Sequence, residues 1–501
     1  MRPWRDHLDA DDPLVAAGAA GLAEDGTLLH RWARGWGGDP GSRLWRQGDR
    51  WWTAGEFDDA TRRAAGRLRR AGLEPGQRVV WSTGSSVAAL AAHVGALRAG
   101  LVVVPANPAY SARELRHLVT DTRAVAAVVG RPDQAAWVRE ATDGGALVCG
   151  PELDLPDGDP GPLDEAGPDD PALICFTSGT TGVPKGAVLR HRHLLAGVTA
   201  VTRAWRMGPD DLLVHCLPVF HAHGLVVGAY GTMTAGGSAV LLPAFDPAAV
   251  ADTVGTESAS LFFGVPTMYH RLLASGRAPQ LGRLRLCVSG SAPLPADLHA
   301  AVSSVVGRAV LERYGMTETL MNASNPYGGE RRAGTVGFPL PGVEIHLSPA
   351  EEVLVRGPNV FDGYFERDAA NAEAFRDLGD GGVPWFVTGD LGADDDGYLV
   401  LRGRSTELII SGGFNVYPAE VEDVVARCPG VAEVAVTGTP SDEWGEVVTA
   451  WIVADGAAPT LEALRAHCAD GLASFKQPRL LRVVDALPRN ALGKVVRGEL
   501  R

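Results

Sequence analysis

The sequence predicts an α/β fold in two parts: a large N-terminal domain over residues 1–403, with mixed, mostly parallel sheets layered with helices, and a small α+β domain over residues 404–501. Three observations predict it. Between residues 78 and 130, apolar runs alternate with amphipathic segments, the pattern of parallel strands joined by helices. Several later apolar runs end in small or polar residues, as do strands whose carboxyl ends face a ligand. Beyond residue 404 the texture changes to short strands and helices in close succession.

In order, residues 78–84 read as a short strand, 86–99 as a helix and 101–105 as a strand of nearly unbroken valine, after which 111–122 has helical spacing and 124–130 is apolar again. Residues 151–171, PELDLPDGDPGPLDEAGPDDP, are so rich in Pro, Asp and Gly that they read as a surface connection. Strands are expected at 172–176, 211–218, 238–243, 260–265 and 284–288. In the last part 407–410, 431–437, 447–453 and 480–484 read as strands, and 418–428 and 461–472 as helices, the first with proline in its opening turn and a Pro-Gly stop. The boundary is expected at 403–406, after the turn-rich Asp394-Asp395-Asp396-Gly397.

Composition narrows the class. With 501 residues, 46% apolar and 21% charged, the chain is globular and can bury sizeable cores. A formal charge of -14 disfavours wrapping nucleic acid. The six cysteines form no CxxC pair, so neither a disulfide framework nor a cysteine zinc site is expected. MRPWRDHLDADD is acidic and not of signal-peptide type, and no apolar run is long enough to span a membrane. A cytoplasmic protein with no nucleic-acid or membrane partner is the expectation.

The ten residues 177–186, TSGTTGVPKG, hold three glycines, four hydroxyl residues and one lysine directly after the apolar 172–176. Glycines let backbone approach an anion, hydroxyls donate to it and Lys185 adds charge, so the segment reads as a phosphate cradle or, by composition alone, an ordinary surface turn. It does not fit GxxxxGK followed by Ser or Thr. Glu318 in YGMTETLMN (314–322) can meet Mg²⁺ beside nucleotide phosphates, and Asp390 in VTGD (387–390) can accept from ribose hydroxyls. Taken alone, each reads as a solvated acid. Likewise His221 and His223 in FHAHG make a poor metal pair and read as packing or pocket residues, and Lys494 in PRNALGK reads alone as a solvated charge.

Together, TSGTTGVPKG, YGMTETLMN, TGD, the Gly403-Arg404 turn, SGGFNVYPAEVE and PRNALGK occur in the order and approximate spacing of the adenylate-forming superfamily of acyl-CoA synthetases, firefly luciferases and adenylation domains, and the resemblance runs from about residue 50 to the C-terminus. It implies that a small-molecule carboxylic acid attacks the α-phosphorus of ATP to give an acyl-adenylate and pyrophosphate, after which coenzyme A captures the acyl group and releases AMP. On this resemblance Thr177, Ser178, Gly179, Thr180, Thr181, Gly182 and Lys185 hold the β- and γ-phosphates, Thr317 contacts the α-phosphate and Glu318 is the Mg²⁺ ligand. Asp390 and Arg404 bind ribose, while Ser289, Gly290, Ser291, Ala292, Glu312, Arg313, Tyr314 and Gly315 form the adenine pocket. His221 flanks the acyl carboxylate, and Lys494 bridges the reacting groups. The C-terminal domain is implied to be mobile, rotating to present Ser411, Gly412, Gly413 and Phe414 to coenzyme A. The hinge position is Thr406, where the family usually has Lys or Asp.

Within the superfamily, FGVPTMYHR (263–271, with Gly264), RYGMTETLMN (313–322, with Met316) and FHAHGL (220–225) look like the pocket segments of malonyl-CoA synthetases. The arginine that pairs with the second carboxylate in that group matches Arg271 here, which implies a short dicarboxylate, malonate or methylmalonate. Read alone, Arg271 is equally a surface arginine capping a helix or one paired with a protein carboxylate. SGGFNVYPAEVE resembles fatty-acid and aryl ligases more than the malonate group, so a fatty or aryl acid stays open. So do a carrier protein or another nucleophile as acceptor, and a binding protein without catalysis.

Overall fold

The computed structural model describes residues 1–7, 26–177, 184–411, 414–441, 444–469, 471–490 and 493–500. The chain forms two units, Met1–Ile345 with Val355–Phe386 and His346–Leu354 with Val387–Arg501.

In the first unit the α/β expectation holds. One six-stranded sheet runs in the order Leu147–Cys149, Ala126–Val129, Arg78–Ser82, Val102–Pro105, Pro171–Thr177, Lys185–Arg190. Its pairs are parallel except the last. The central strands are buried on both faces, which is why they are nearly continuous valine and alanine. Helix Val87–Arg98 is capped by Ser86, whose side chain accepts from Ala89 N at 3.1 Å, and helix Ala112–Asp121 by a reciprocal Ser111–Glu114 box. Val80, Val104, Leu115, Leu118 and Ile174 share the core between that helix and the sheet.

A second, nine-stranded sheet carries the parallel strands Leu311–Tyr314, Leu286–Ser289, Leu261–Gly264, Leu212–His215, Ser238–Leu241 and Arg43–Gln47, with antiparallel pairs beyond both ends of this series. Several elements of this unit lie outside the sequence expectation, among them helices Leu28–Gly38 and Ala54–Arg70. His223–Tyr230 is a π-helix, and His191–Ala204 is an α-helix following the antiparallel Lys185–Arg190.

The connection at 151–171 is irregular, as expected, yet not wholly superficial. Asp164 is buried and takes three charge-assisted bonds from Arg98, Nε to Oδ1 at 2.9 Å, Nε to Oδ2 at 3.2 Å and Nη2 to Oδ2 at 2.8 Å. Arg98 is 2% exposed and also bonds Asp58 at 2.5 Å and Thr61 at 2.6 Å.

The second unit is α+β. Its five-stranded sheet pairs Phe414–Val416, Ile409–Ser411, Gly445–Ala454 and Val431–Ser441 antiparallel, with Leu480–Val483 parallel to Gly445–Ala454. The helices are shorter than expected, Pro418–Val425 and Leu461–Cys468. Cys428 and Leu472 lie beyond them but remain in the core, so the apolar pattern outlasts the helix. Ser405–Glu407 is a 3₁₀ turn rather than the start of a strand, which begins at Ile409.

Because Arg98 neutralises buried Asp164, Arg98→Met is predicted to destabilise the first unit by about 3–5 kcal/mol, read as the shift of its denaturation transition. A change within experimental error would mean that the ion pairs contribute nothing net.

Candidate active site

Thr177 faces Lys185 across the antiparallel pair Pro171–Thr177 and Lys185–Arg190. Thr177 therefore stands at the carboxyl end of a strand whose other neighbour, Val102–Pro105, is parallel. Ser178, Gly179, Thr180, Thr181 and Gly182 lie outside the described residues. The Lys185 ammonium stands 5.2 Å from the ring centroid of Tyr364. The Tyr364 hydroxyl donates to Glu318 Oε1 at 3.0 Å, and Glu318 is only 5% exposed.

Thr317 and His221 line one cleft with Asn107, Tyr110, Cys175 and Phe176. Burial pushes the His221 imidazole down to about 4, so it is neutral at pH 7, and its Nε2 has no partner among the described residues. Tyr314 is buried, and Gly315 and Met316 are half-buried.

Leu286–Ser289 ends against Gly290, where a Cβ would stand 2.3 Å from Arg313 Nε and 2.4 Å from its Cζ. Any larger residue would displace the guanidinium packed there. Ser291 follows with φ 69°, and its Oγ lies 3.2 Å from His223 Nδ1. Ser289 is buried, and Ala292 is half-buried.

Arg313 is 6% exposed, and its Nε and Nη2 have no hydrogen-bond partner among the described residues. Burial pushes it down to about 9. His223 is held well below its ordinary value, first by burial and then by the Arg313 charge. Glu312 on the same strand accepts from Leu294 N and Gly334 N, each at 3.3 Å, and burial pushes its carboxyl up to about 7.

Arg271 is exposed in the last turn of helix Pro266–Ala274, its Cζ 5.0 Å from the Phe245 ring centroid. Gly264 ends its strand against the Phe262 and Tyr269 rings. The structure thus presents two arginines of different character in the malonate-like segments, and sequence reasoning had singled out the exposed one. The available signal was an arginine directly before YG, a position that the motif alone assigned to the nucleotide.

In the second unit Asp390 is buried and pairs with Arg404 Nε at 2.8 Å, while Arg404 Nη1 donates to Thr388 O at 2.9 Å. Lys494 is carried by a tight turn in which its N–H donates to Asn490 Oδ1 at 3.0 Å and Asn490 N–H donates to Lys494 O at 2.9 Å. Although the residue is exposed as a whole, its ammonium is held below the ordinary lysine value. Loss of solvent is the larger cause and the Arg404 charge the next, with Glu407 and Asp390 acting oppositely. Arg497 ties the same segment to Glu407 at 3.0 Å and to Glu422 at 2.8 Å. Thr406 is exposed in the 3₁₀ turn. Ser411 is buried, Phe414 is 56% exposed and stacked on Phe475 at 4.6 Å, and Gly412 and Gly413 lie outside the described residues.

Among the described residues no group of three or more His, Cys, Asp or Glu could hold a metal ion, and no helix is long and apolar enough to cross a membrane. One buried carboxylate suits Mg²⁺, which takes one or two carboxylates and fills its remaining positions with phosphate oxygens and water.

The model of the AMP-binding enzyme family matches residues 29–365, and that of the AMP-binding enzyme C-terminal domain matches residues 420–494. A feruloyl-CoA synthase from Amycolatopsis sp is 36% identical over 90% of this chain and 93% of its own length. A malonate–CoA ligase from Arabidopsis thaliana is 38% identical over 66% of this chain and 60% of its own. The crystal structure of ATP-bound MatB from Rhodopseudomonas palustris superposes with a TM-score of 0.87 at 39% identity, covering 94% of this chain and 98% of that one.

Glu312 gives a prediction of defined sign. Its folded value of about 7 exceeds its ordinary 4.5, so its contribution to stability is full below about pH 4.5 and is lost as pH rises through 7. Glu312→Gln is predicted to remove this slope, a difference on the order of 2–4 kcal/mol between pH 4.5 and 8. Parallel denaturation curves for wild type and variant across that range would refute it.

Proposed function

The chain belongs to the AMP-binding enzyme family, and we propose that it is an AMP-forming acid–CoA ligase whose acid is a short dicarboxylate, malonate or methylmalonate. ATP and coenzyme A are its co-substrates and Mg²⁺ its metal. One oxygen of the acid attacks the α-phosphorus, and the bond to the β-phosphate oxygen breaks, giving acyl-adenylate and pyrophosphate. The sulfur of coenzyme A then attacks the acyl carbon, AMP leaves, and the thiol proton passes to solvent. Glu318 would hold Mg²⁺ against the nucleotide, where the ion neutralises phosphate charge. Neutral His221, beside Thr317, can donate to the acyl carboxylate without adding charge. Asp390 and Arg404 serve the ribose, Lys494 is the cation of the adenylation step, and rotation of a domain beginning at 404 remains part of this reading.

The observation that carries the choice of acid is Arg313. No carboxylate among the described residues pairs with it; a buried guanidinium so placed costs several kcal/mol unless an anion reaches it, and its donors suit a carboxylate. This supports a substrate with a second negative group, and on this reading Arg313 would serve the acyl pocket rather than the adenine wall. Arg271, exposed over Phe245, carries no comparable penalty. The similarity to a feruloyl-CoA synthase favours an aryl acid instead, and a neutral aryl group would leave Arg313 unpartnered.

Pyrophosphate exchange with malonate, methylmalonate, octanoate and coumarate separates these readings. Arg313→Met is predicted to lose about 2–5 kcal/mol of malonate kcat/KM, and Arg271→Ala much less. Equal turnover of octanoate or coumarate, with malonate exchange intact in Arg313→Met, would overturn the dicarboxylate. Lys494→Ala should slow adenylation by about 10²–10³-fold, and an unchanged rate would remove its assigned role. AMP release that does not depend on coenzyme A would point to another acceptor.

A further inference from the structure

We propose that Tyr364 is the positioning residue of Glu318: its hydroxyl fixes the carboxylate that meets the magnesium–nucleotide phosphates, while its ring carries the Lys185 ammonium. This rests on the reading of Glu318 as the magnesium contact. Three backbone connections build the arrangement. Phe361 N–H donates to Glu318 O at 2.9 Å, Val188 N–H to Gly363 O at 3.1 Å and Phe365 N–H to Gly186 O at 2.8 Å, and Tyr364 forms a β-bridge with Ala187. Residues 361–365 are thereby stitched both to the strand that begins at Lys185 and to the loop that carries Glu318.

The tyrosine itself is clamped. Its N–H donates to Asn371 Oδ1 at 2.6 Å, and Asn371 Nδ2 donates back to Tyr364 O at 3.0 Å. Gly363 stands so close to Asn371 that a Cβ would lie 2.8 Å from Oδ1, at a φ of 149°. The ring packs edge-on against buried Phe361, with centroids 4.9 Å apart. Its hydroxyl therefore reaches Glu318 from a fixed base.

The chemistry of the donor matters as much as its placement. A lysine or arginine on Glu318 would hold the carboxylate but cancel the charge that attracts a cation. A phenol donates one hydrogen bond and leaves the charge on the acid. The nearby cation is held at the ring face by attraction to the aromatic quadrupole. One side chain thus orients the acid and offers a resting place to the base.

The test is Mn²⁺ binding in the presence of ATP, followed by electron paramagnetic resonance, for wild type, Tyr364→Phe and Glu318→Gln. Tyr364→Phe retains the ring and the β-bridge, and it is expected to weaken Mn²⁺ binding by about 10–100-fold. It should raise the Mg²⁺ requirement of pyrophosphate exchange in parallel, with the KM for the acid unchanged. Mn²⁺ affinity within about twofold of wild type, against this expected loss, would overturn the proposal. If Glu318→Gln also binds Mn²⁺ as wild type does, the assignment of Glu318 itself fails. If only Glu318→Gln weakens binding, Glu318 stands and the role of Tyr364 falls. Should Tyr364→Phe not fold, Asn371→Ser loosens the clamp while keeping the hydroxyl; it is expected to shift Mn²⁺ affinity in the same direction, and no shift there overturns the proposal.

Discussion

Moving an ion from water into a protein interior costs several kcal/mol, and the first unit meets that cost in different ways at different places. Arg98 meets it within the protein, with Asp164, Asp58 and Thr61 around its guanidinium. Glu318 takes a hydrogen bond from a neutral donor, the Tyr364 hydroxyl. Buried His93 and His215 avoid the cost by remaining neutral, pushed down to about 3 and about 4. Arg313 has no carboxylate partner among the described residues and no neutral escape at pH 7, since even after burial it is lowered only to about 9. Two arginines of nearly equal burial thus have opposite meanings. Arg98 is a folding residue, and Arg313 is a residue that folding leaves incomplete.

Backbone geometry decides where these charges can stand. Parallel pairing of Pro171–Thr177 with Val102–Pro105 puts Thr177 at a carboxyl strand end, and the antiparallel return strand starts at Lys185. Leu286–Ser289 and Leu311–Tyr314 lie side by side in parallel, so Gly290 and Arg313 are neighbours although they are far apart in sequence. The small residue at 290 is therefore a requirement of the arginine at 313. Spacing within either motif could not reveal that dependence.

The β-α-β region at 78–130 was legible to within two or three residues, because strands buried on both faces must be apolar throughout and Ser86 and Ser111 mark the helix starts chemically. Helix ends after 418 and 461 were overextended because Cys428 and Leu472 are buried by tertiary packing beyond the last helical turn. The π-helix His223–Tyr230 was illegible: HGLVVGAY is buried all round, so no polar face reveals its period. The connection at 151–171 read correctly as irregular, but the burial of Asp164 depends on Arg98, some 66 residues earlier. At the candidate site the motif residues could be named one by one from the sequence, whereas the contrast between Arg271 and Arg313 lies in exposure, which is a property of the folded neighbours.

That difference in exposure bears on how a substrate could be chosen. An exposed arginine over an aromatic ring, such as Arg271, has water for its donors and gains about 0.5–1 kcal/mol from the ring, so a second carboxylate offers it little. Arg313 starts from a penalty. On the proposed reading a dicarboxylate removes that penalty, whereas a fatty or aryl acid leaves it and must also fill the space beside an unpartnered charge. Discrimination then comes mainly from what the wrong acid fails to satisfy, the regime in which buried polar groups reject an analogue most strongly. Neutral His223 beside Arg313 belongs to the same logic, because a second cation there would add repulsion to the desolvation that Arg313 already bears.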